Sequence, residues 1–165
     1  MRTETIKLYQ FDELSDEAKE KAISKFREDL DFPFLEEDLN KYLKQLLKEN
    51  KINGEPKLMF SFSYCQGDGV CFTGTFKWKN YLISIVHNDN YFHKHSTDIF
   101  METAFGNEVR AEVYDEFKEL YFDLCDKVEK EGYKIIEEEQ SDESISETLE
   151  INDYEFKENG EWYIW

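Results

Sequence analysis

Between Leu14 and Leu47 apolar side chains recur every three to four positions, and from Lys57 they recur every second position. The change of period divides helices from strands. The opening TETIKLYQF alternates as a strand does. In LSDEAKEKAISKFREDL, Leu14, Ala18, Ala22, Phe26 and Leu30 stand four apart, with Ser15 placed as N-cap and acids in the first turn. Pro33 interrupts that helix. Leu35, Leu39, Tyr42, Leu43, Leu46 and Leu47 then mark the apolar face of a second helix, which ends before NKING.

From Lys57 the period is two. Leu58, Phe60, Phe62 and Tyr64 face one way, and after a glycine loop Val70, Phe72, Phe76 and Trp78 do the same. Lys79-Asn80 makes a tight connection into YLISIVH, and the NDN at 88–90 turns the chain into a strand expected to begin near Tyr91. Residues 57–104 thus predict an antiparallel meander of at least four strands. Beyond FGN, the spacing of Val109, Val113, Phe117, Leu120, Leu124 and Val128 predicts a long helix, expected to end or kink near Gly132. A new helix is predicted from Ser141 or Asp142, and YEFKENGEWYIW closes as a hairpin around Asn159-Gly160. The expected fold is a single α+β domain over 1–165, with five to seven short strands packed by the N-terminal helices and the long C-terminal helix.

Composition fits a folded chain: 40% of its 165 residues are apolar, including 14 Phe, 10 Tyr and 3 Trp. No run reaches the roughly 20 apolar residues of a membrane span, and the N-terminal residues lack the apolar stretch of a secretory signal, so a cytoplasmic protein is expected. Cys65, Cys71 and Cys125 are odd in number and lack C-x-x-C spacing, which predicts reduced and mostly buried thiols. Charge changes the picture most. The net charge of −18 opposes direct binding to nucleic acid or to an anionic membrane, and the excess of acids over bases is concentrated in residues 108–165.

The stretch SFSYCQGDGVCFTG holds the first candidate chemistry. Gly67 and Gly69 can supply positive φ, and Asp68 can fold back onto nearby N–H groups, which is all that a tight turn needs. Gln66, Thr73 and Gly74 fall outside that account, since a glycine within a strand marks a bulge or a close approach. A ligand-binding loop using Gln66, Asp68, Thr73, His87 and His93 therefore stands beside the turn reading. His93 and His95 would share a strand face and, with His87, could hold a divalent metal, although the spacing matches no strong metal signature; otherwise no cofactor is expected. Asp68 with His87 or His93 is the one pairing suited to acid–base work, and Cys71 lacks any feature that would lower its pKa. Enzymatic activity is thus the lesser expectation.

YQFDELSDEAKEKAISKFRED, SYCQGDGVCFTG and the late YEFKENG together resemble a family of small bacteriophage and prophage proteins with a central S-Q-G-D-G-x-x-F-x-G signature. Gln66, Gly67, Asp68, Gly69, Phe72 and Gly74 match it, while Cys65 and Cys71 stand where the family usually has serine. The resemblance implies phage origin rather than a particular reaction, and small phage proteins often act on host defences. With the net charge, this gives the leading expectation: an anti-CRISPR-like inhibitor, acting in the host cytoplasm as a nucleic-acid mimic. Its acids, Glu137, Glu138, Glu139, Asp142 and Glu143 first among them, would occupy a basic nucleic-acid-binding host protein or ribonucleoprotein. The alternatives are a small-molecule, nucleotide or metal module built on the glycine loop, and a phage assembly protein associating through EWYIW.

Overall fold

A computed structural model describes residues 2–164. The first strand is shorter than the alternation suggests: only Tyr9–Gln10 (β1) pairs, followed by a 3-10 turn at Phe11–Glu13. Ser15 then caps α1 (Asp16–Glu28), its hydroxyl accepting from the Ala18 N–H at 3.3 Å. Helix α2 spans Leu35–Glu49 and buries Leu35, Leu39, Leu43, Leu46 and Leu47, the stripe that its spacing predicts. The strands β2 (Ile52–Asn53), β3 (Lys57–Ser61), β4 (Gly69–Trp78), β5 (Tyr81–His87) and β6 (Thr97–Thr103) follow. The chain closes with α3 (Ala111–Glu139), α4 (Asp142–Ile151) and β7 (Glu155–Phe156), giving an α+β fold.

Contacts divide the chain into two compact units. In the first, Pro33–Lys134, an antiparallel sheet runs β2-β4-β5-β6, with β3 also paired to β4. Lys79 takes positive φ in the two-residue turn that sets Trp78 opposite Tyr81. Alternation on β5 buries Ile83 and Ile85 and leaves Leu82 and Val86 exposed, as one covered face requires. The first four residues of β4 are buried on both faces. Gly74, at φ +142°, joins the stretch of β4 paired to β3 to the stretch paired to β5, and a Cβ there would lie 2.8 Å from the Glu55 carbonyl oxygen. Of the two readings of that glycine, a bulge or a close approach, the backbone approach is the one found. Where β5 no longer pairs β4, the Tyr121 hydroxyl of α3 donates to the Phe72 carbonyl at 2.8 Å and accepts from its N–H at 3.1 Å.

In the second unit, the described residues of Met1–Phe32 and Ile135–Trp165, β1 pairs β7 antiparallel. Phe11, Leu14, Ala18 and Ala22 pack with Ile145, Leu149 and Phe156 in one buried cluster. The closing turn carries Gly160 at φ +84°, where a Cβ would stand 2.2 Å from the Ala18 carbonyl oxygen, so only glycine fits.

Two further expectations about elements need correction. The long helix does not end at Gly132 but runs on to Glu139, and the glycine serves packing instead. The Phe62 ring occupies the space a Cβ would fill, with its Cζ 2.3 Å from that position. The strand expected from Tyr91 begins at Thr97. Residues 88–96 form an irregular loop in which Asp89 accepts from the Tyr91 N–H (2.7 Å), Ser96 donates to the His93 carbonyl (2.8 Å) and Asn88 donates to the Ser96 carbonyl (2.9 Å). Such local bonds compete with a strand ladder for the same backbone groups.

Candidate functional site

The glycine loop is built around one carboxylate. Asp68 Oδ1 accepts from the Ser63 N–H (2.8 Å), the Ser61 hydroxyl (3.3 Å) and the Cys65 thiol (3.5 Å). Its Oδ2 accepts from the Tyr133 hydroxyl (2.7 Å) and the Cys65 N–H (3.2 Å). Burial alone would raise the pKa of Asp68, but the Ser63 N–H, the Tyr133 hydroxyl and the Cys65 donors outweigh it and hold the carboxyl at about 2. These donors bind β3, the loop and α3 to a single anion, and they fill the acceptor positions that a ligand would otherwise use. Burial and the Asp68 charge in turn push the Tyr133 hydroxyl well above its ordinary value, so it remains a donor.

Neither Gly67 nor Gly69 takes positive φ, contrary to the turn reading. Close approach explains Gly69: a Cβ would meet the Phe92 carbonyl oxygen at 2.7 Å and His93 Cδ2 at 2.9 Å. At Gly67 the Tyr91 ring stands in ordinary contact, 3.4 Å from the Cβ position. The loop thus lies against residues 91–93, which brings Asp68 and His93 into one region. Gln66 is exposed, and the half-buried Thr73 sits in the ladder opposite Lys57.

The histidines lie off any shared strand face, since His93 and His95 belong to the 88–96 loop. Their rings stack 4.9 Å apart, and the His95 N–H donates to His93 Nδ1 at 3.2 Å, using one of its ligating nitrogens. His87 Nε2 lies 2.6 Å from the Tyr91 carbonyl oxygen. Among the described residues no three His, Cys, Asp or Glu side chains gather as a metal would need. Burial, helped by the charges of His93, Lys94 and Lys118, lowers the pKa of His95. Burial and the Asp89 charge push the Cys71 thiol up to about 11, and burial raises Cys125 further, so both are protonated at neutral pH. Cys65 alone of the three is exposed.

Sequence reasoning misses the α3 side chains facing this region: Tyr133, Glu129 and Asp126, the last joined to Lys94 by two 2.9 Å contacts. Burial and the Asp126 charge raise the pKa of Glu129, opposed by His93 and Lys94. Their signal was available only in part. The spacing of three and four residues puts 126, 129 and 133 on one helix face, but nothing in it names the loop they meet.

The acidic residues gather elsewhere. Nine carboxylates and no Lys or Arg lie between Lys134 and Lys157. Glu137, Glu138 and Glu139 end α3; Ser141 caps α4, accepting from the Ser144 N–H at 3.2 Å, and Asp142 and Glu143 open that helix. Glu138, Glu139, Glu143 and Glu147 line a groove of about 390 Å³ with Ile135, Ser141 and Ser144. Asp142 is bonded to Arg27, whose Nε also donates to the Gln140 carbonyl at 2.9 Å, so its charge is compensated within the unit. Glu138, Glu143 and Glu147 are exposed and have no ion pair among the described residues. Acids favour the N-terminal end of α4 but oppose the macrodipole at the C-terminal end of α3, at a cost of about 0.3–1 kcal/mol each.

No protein-family model, curated protein or solved structure matches the chain. Among the described residues, no helix is long and apolar enough to cross a membrane.

Proposed function

We propose that the chain is a phage-encoded binding protein that presents the acidic α3–α4 corner to the nucleic-acid-binding surface of a host defence complex and blocks it. The observation that carries this reading is the run of nine carboxylates without one basic residue, seven of them displayed on two consecutive helices. Carboxylates held on helices stand at fixed spacing, as phosphates do along a strand, so a cationic groove meets an ordered row of negative charge. Three glutamates at the negative end of α3 are unfavourable to the isolated protein, and a cationic partner would relieve that repulsion. Phage origin and action in the host cytoplasm rest on the resemblance carried by Gln66, Gly67, Asp68, Gly69, Phe72 and Gly74.

A catalytic or ligand role for the glycine loop has less support, because the Asp68 carboxylate is engaged by Ser61, Ser63, Cys65 and Tyr133. The test is competition. Added to a CRISPR effector holding labelled nucleic acid, the protein should displace it at low salt and lose that ability as salt rises. Displacement that ignores both salt and reversal of Glu137, Glu138, Glu143 and Glu147 to Lys would refute the electrostatic mechanism.

A further inference from the structure

The unit built from the chain ends contains a cavity of about 230 Å³. Its floor is Ala22, Leu149 and Phe156, all buried members of the local core, so the cavity reaches the packed interior. Phe26 and Trp162 add aromatic walls. Trp162 is 48% exposed and packs edge-on against Tyr154 at 4.7 Å, which holds its ring beside the opening. Lys25, Asp29 and Asp31 supply the charges. Lys25 is already bridged by Glu28 at 3.4 Å and Asp29 at 3.3 Å, while Asp31 has no ion pair among the described residues. The charged lining and its bridging partner are therefore negative on balance.

We propose that this cavity receives one apolar anchor side chain of a cationic protein segment, with Lys or Arg residues flanking the anchor set against Asp29 and Asp31. The inference rests on the preceding reading and adds the means by which the partner is recognised. Size favours a side chain over a free ligand, since pockets for small molecules usually hold about 300–1,000 Å³. Anchors seated in a desolvated pocket, inside a ring of contacts that excludes water, carry most of the affinity of protein interfaces. The lining charge selects the occupant: a second copy of this chain, at net charge −18, would be repelled, and an acidic segment would be repelled likewise.

The experiment is an NMR titration of the full chain, isotope-labelled, with three synthetic peptides: Lys-Lys-Ser-Leu-Ser-Arg-Lys, the same peptide with Ser in place of Leu, and Glu-Glu-Ser-Leu-Ser-Glu-Glu. The basic leucine peptide should shift the Trp162 indole and Leu149 methyl signals and bind about tenfold more tightly than its serine counterpart. The acidic peptide should leave both signals unmoved. Trp162→Ala should remove the preference for leucine, and the exposed change Asp31→Lys should weaken binding of the basic leucine peptide at this site without touching the core. Equal binding of both basic peptides, with shifts confined to Glu138, Glu143 and Glu147, would overturn the anchor while sparing the acidic corner. Binding of leucine peptides regardless of flanking charge would overturn the cationic partner. If no peptide moves either region, the anchor is refuted, while the acidic corner is judged by the competition assay.

Discussion

Asp68 shows how one side chain can look like a site and act as a fastener. Its carboxylate ties Ser61, Ser63, Cys65 and Tyr133 together, so Asp68→Ala should destabilise the protein by about 1–3 kcal/mol, read as a lower urea midpoint at neutral pH. The pH dependence has a definite sign. A folded pKa of about 2 lies below the unfolded carboxylate value, so the contribution is complete above the unfolded value and is lost as pH falls toward 2. Acid unfolding of Asp68→Asn should lack that component. Tyr121 is a second fastener: Tyr121→Phe leaves the Phe72 N–H and C=O without their buried partner and should cost about 1–3 kcal/mol in the same assay. The loop's local chemistry, an aspartate able to fold back on N–H groups, was legible in the sequence. Tyr133, sixty-five positions away, was not, because a hydroxyl on a helix carries no mark of the anion it will meet.

Among the elements, legibility followed local signals. Ser15 and Ser141 cap α1 and α4 as their sequence positions suggest, and the leucine stripe of α2 is buried as spaced. Residues 91–96 were misread because the NDN signal suggests a short turn, while Asn88, Asp89 and Ser96 draw a longer stretch of backbone into local bonds. Gly132 was misread for the opposite reason. Glycine is a poor helix former, yet here the neighbouring Phe62 ring, not a helix end, demands it. Gly132→Ala measures which effect wins. Propensity would stabilise α3 by about 1 kcal/mol, whereas overpacking against Phe62 costs about 1–3 kcal/mol, so the melting temperature should fall. A rise would mean that the Phe62 ring moves aside without cost.

For the molecule as a whole, charge decides more than any pocket. The sequence showed the acidic excess beyond residue 107, but its gathering into a groove at the α3–α4 corner depends on how the two helices pack, which spacing alone does not give. The same arrangement yields two opposite effects of one change. Glu137→Lys with Glu138→Lys should raise the melting temperature, because cations at the C-terminal end of α3 complement its dipole, and should weaken partner binding. A mutation that stabilises the protein while abolishing its interaction would separate a functional charge from a merely solubilising one.

The most direct measurement is quantitative capture of bacterial host proteins on the immobilised full chain at about 50 mM and 500 mM salt, a range over which screening tightens severalfold. It should be run beside a variant carrying Lys at positions 137, 138, 143 and 147. The account predicts basic nucleic-acid-binding proteins held by the natural chain at low salt, released at high salt, and absent from the variant. Capture of the same proteins under both salt conditions and by both chains would contradict it.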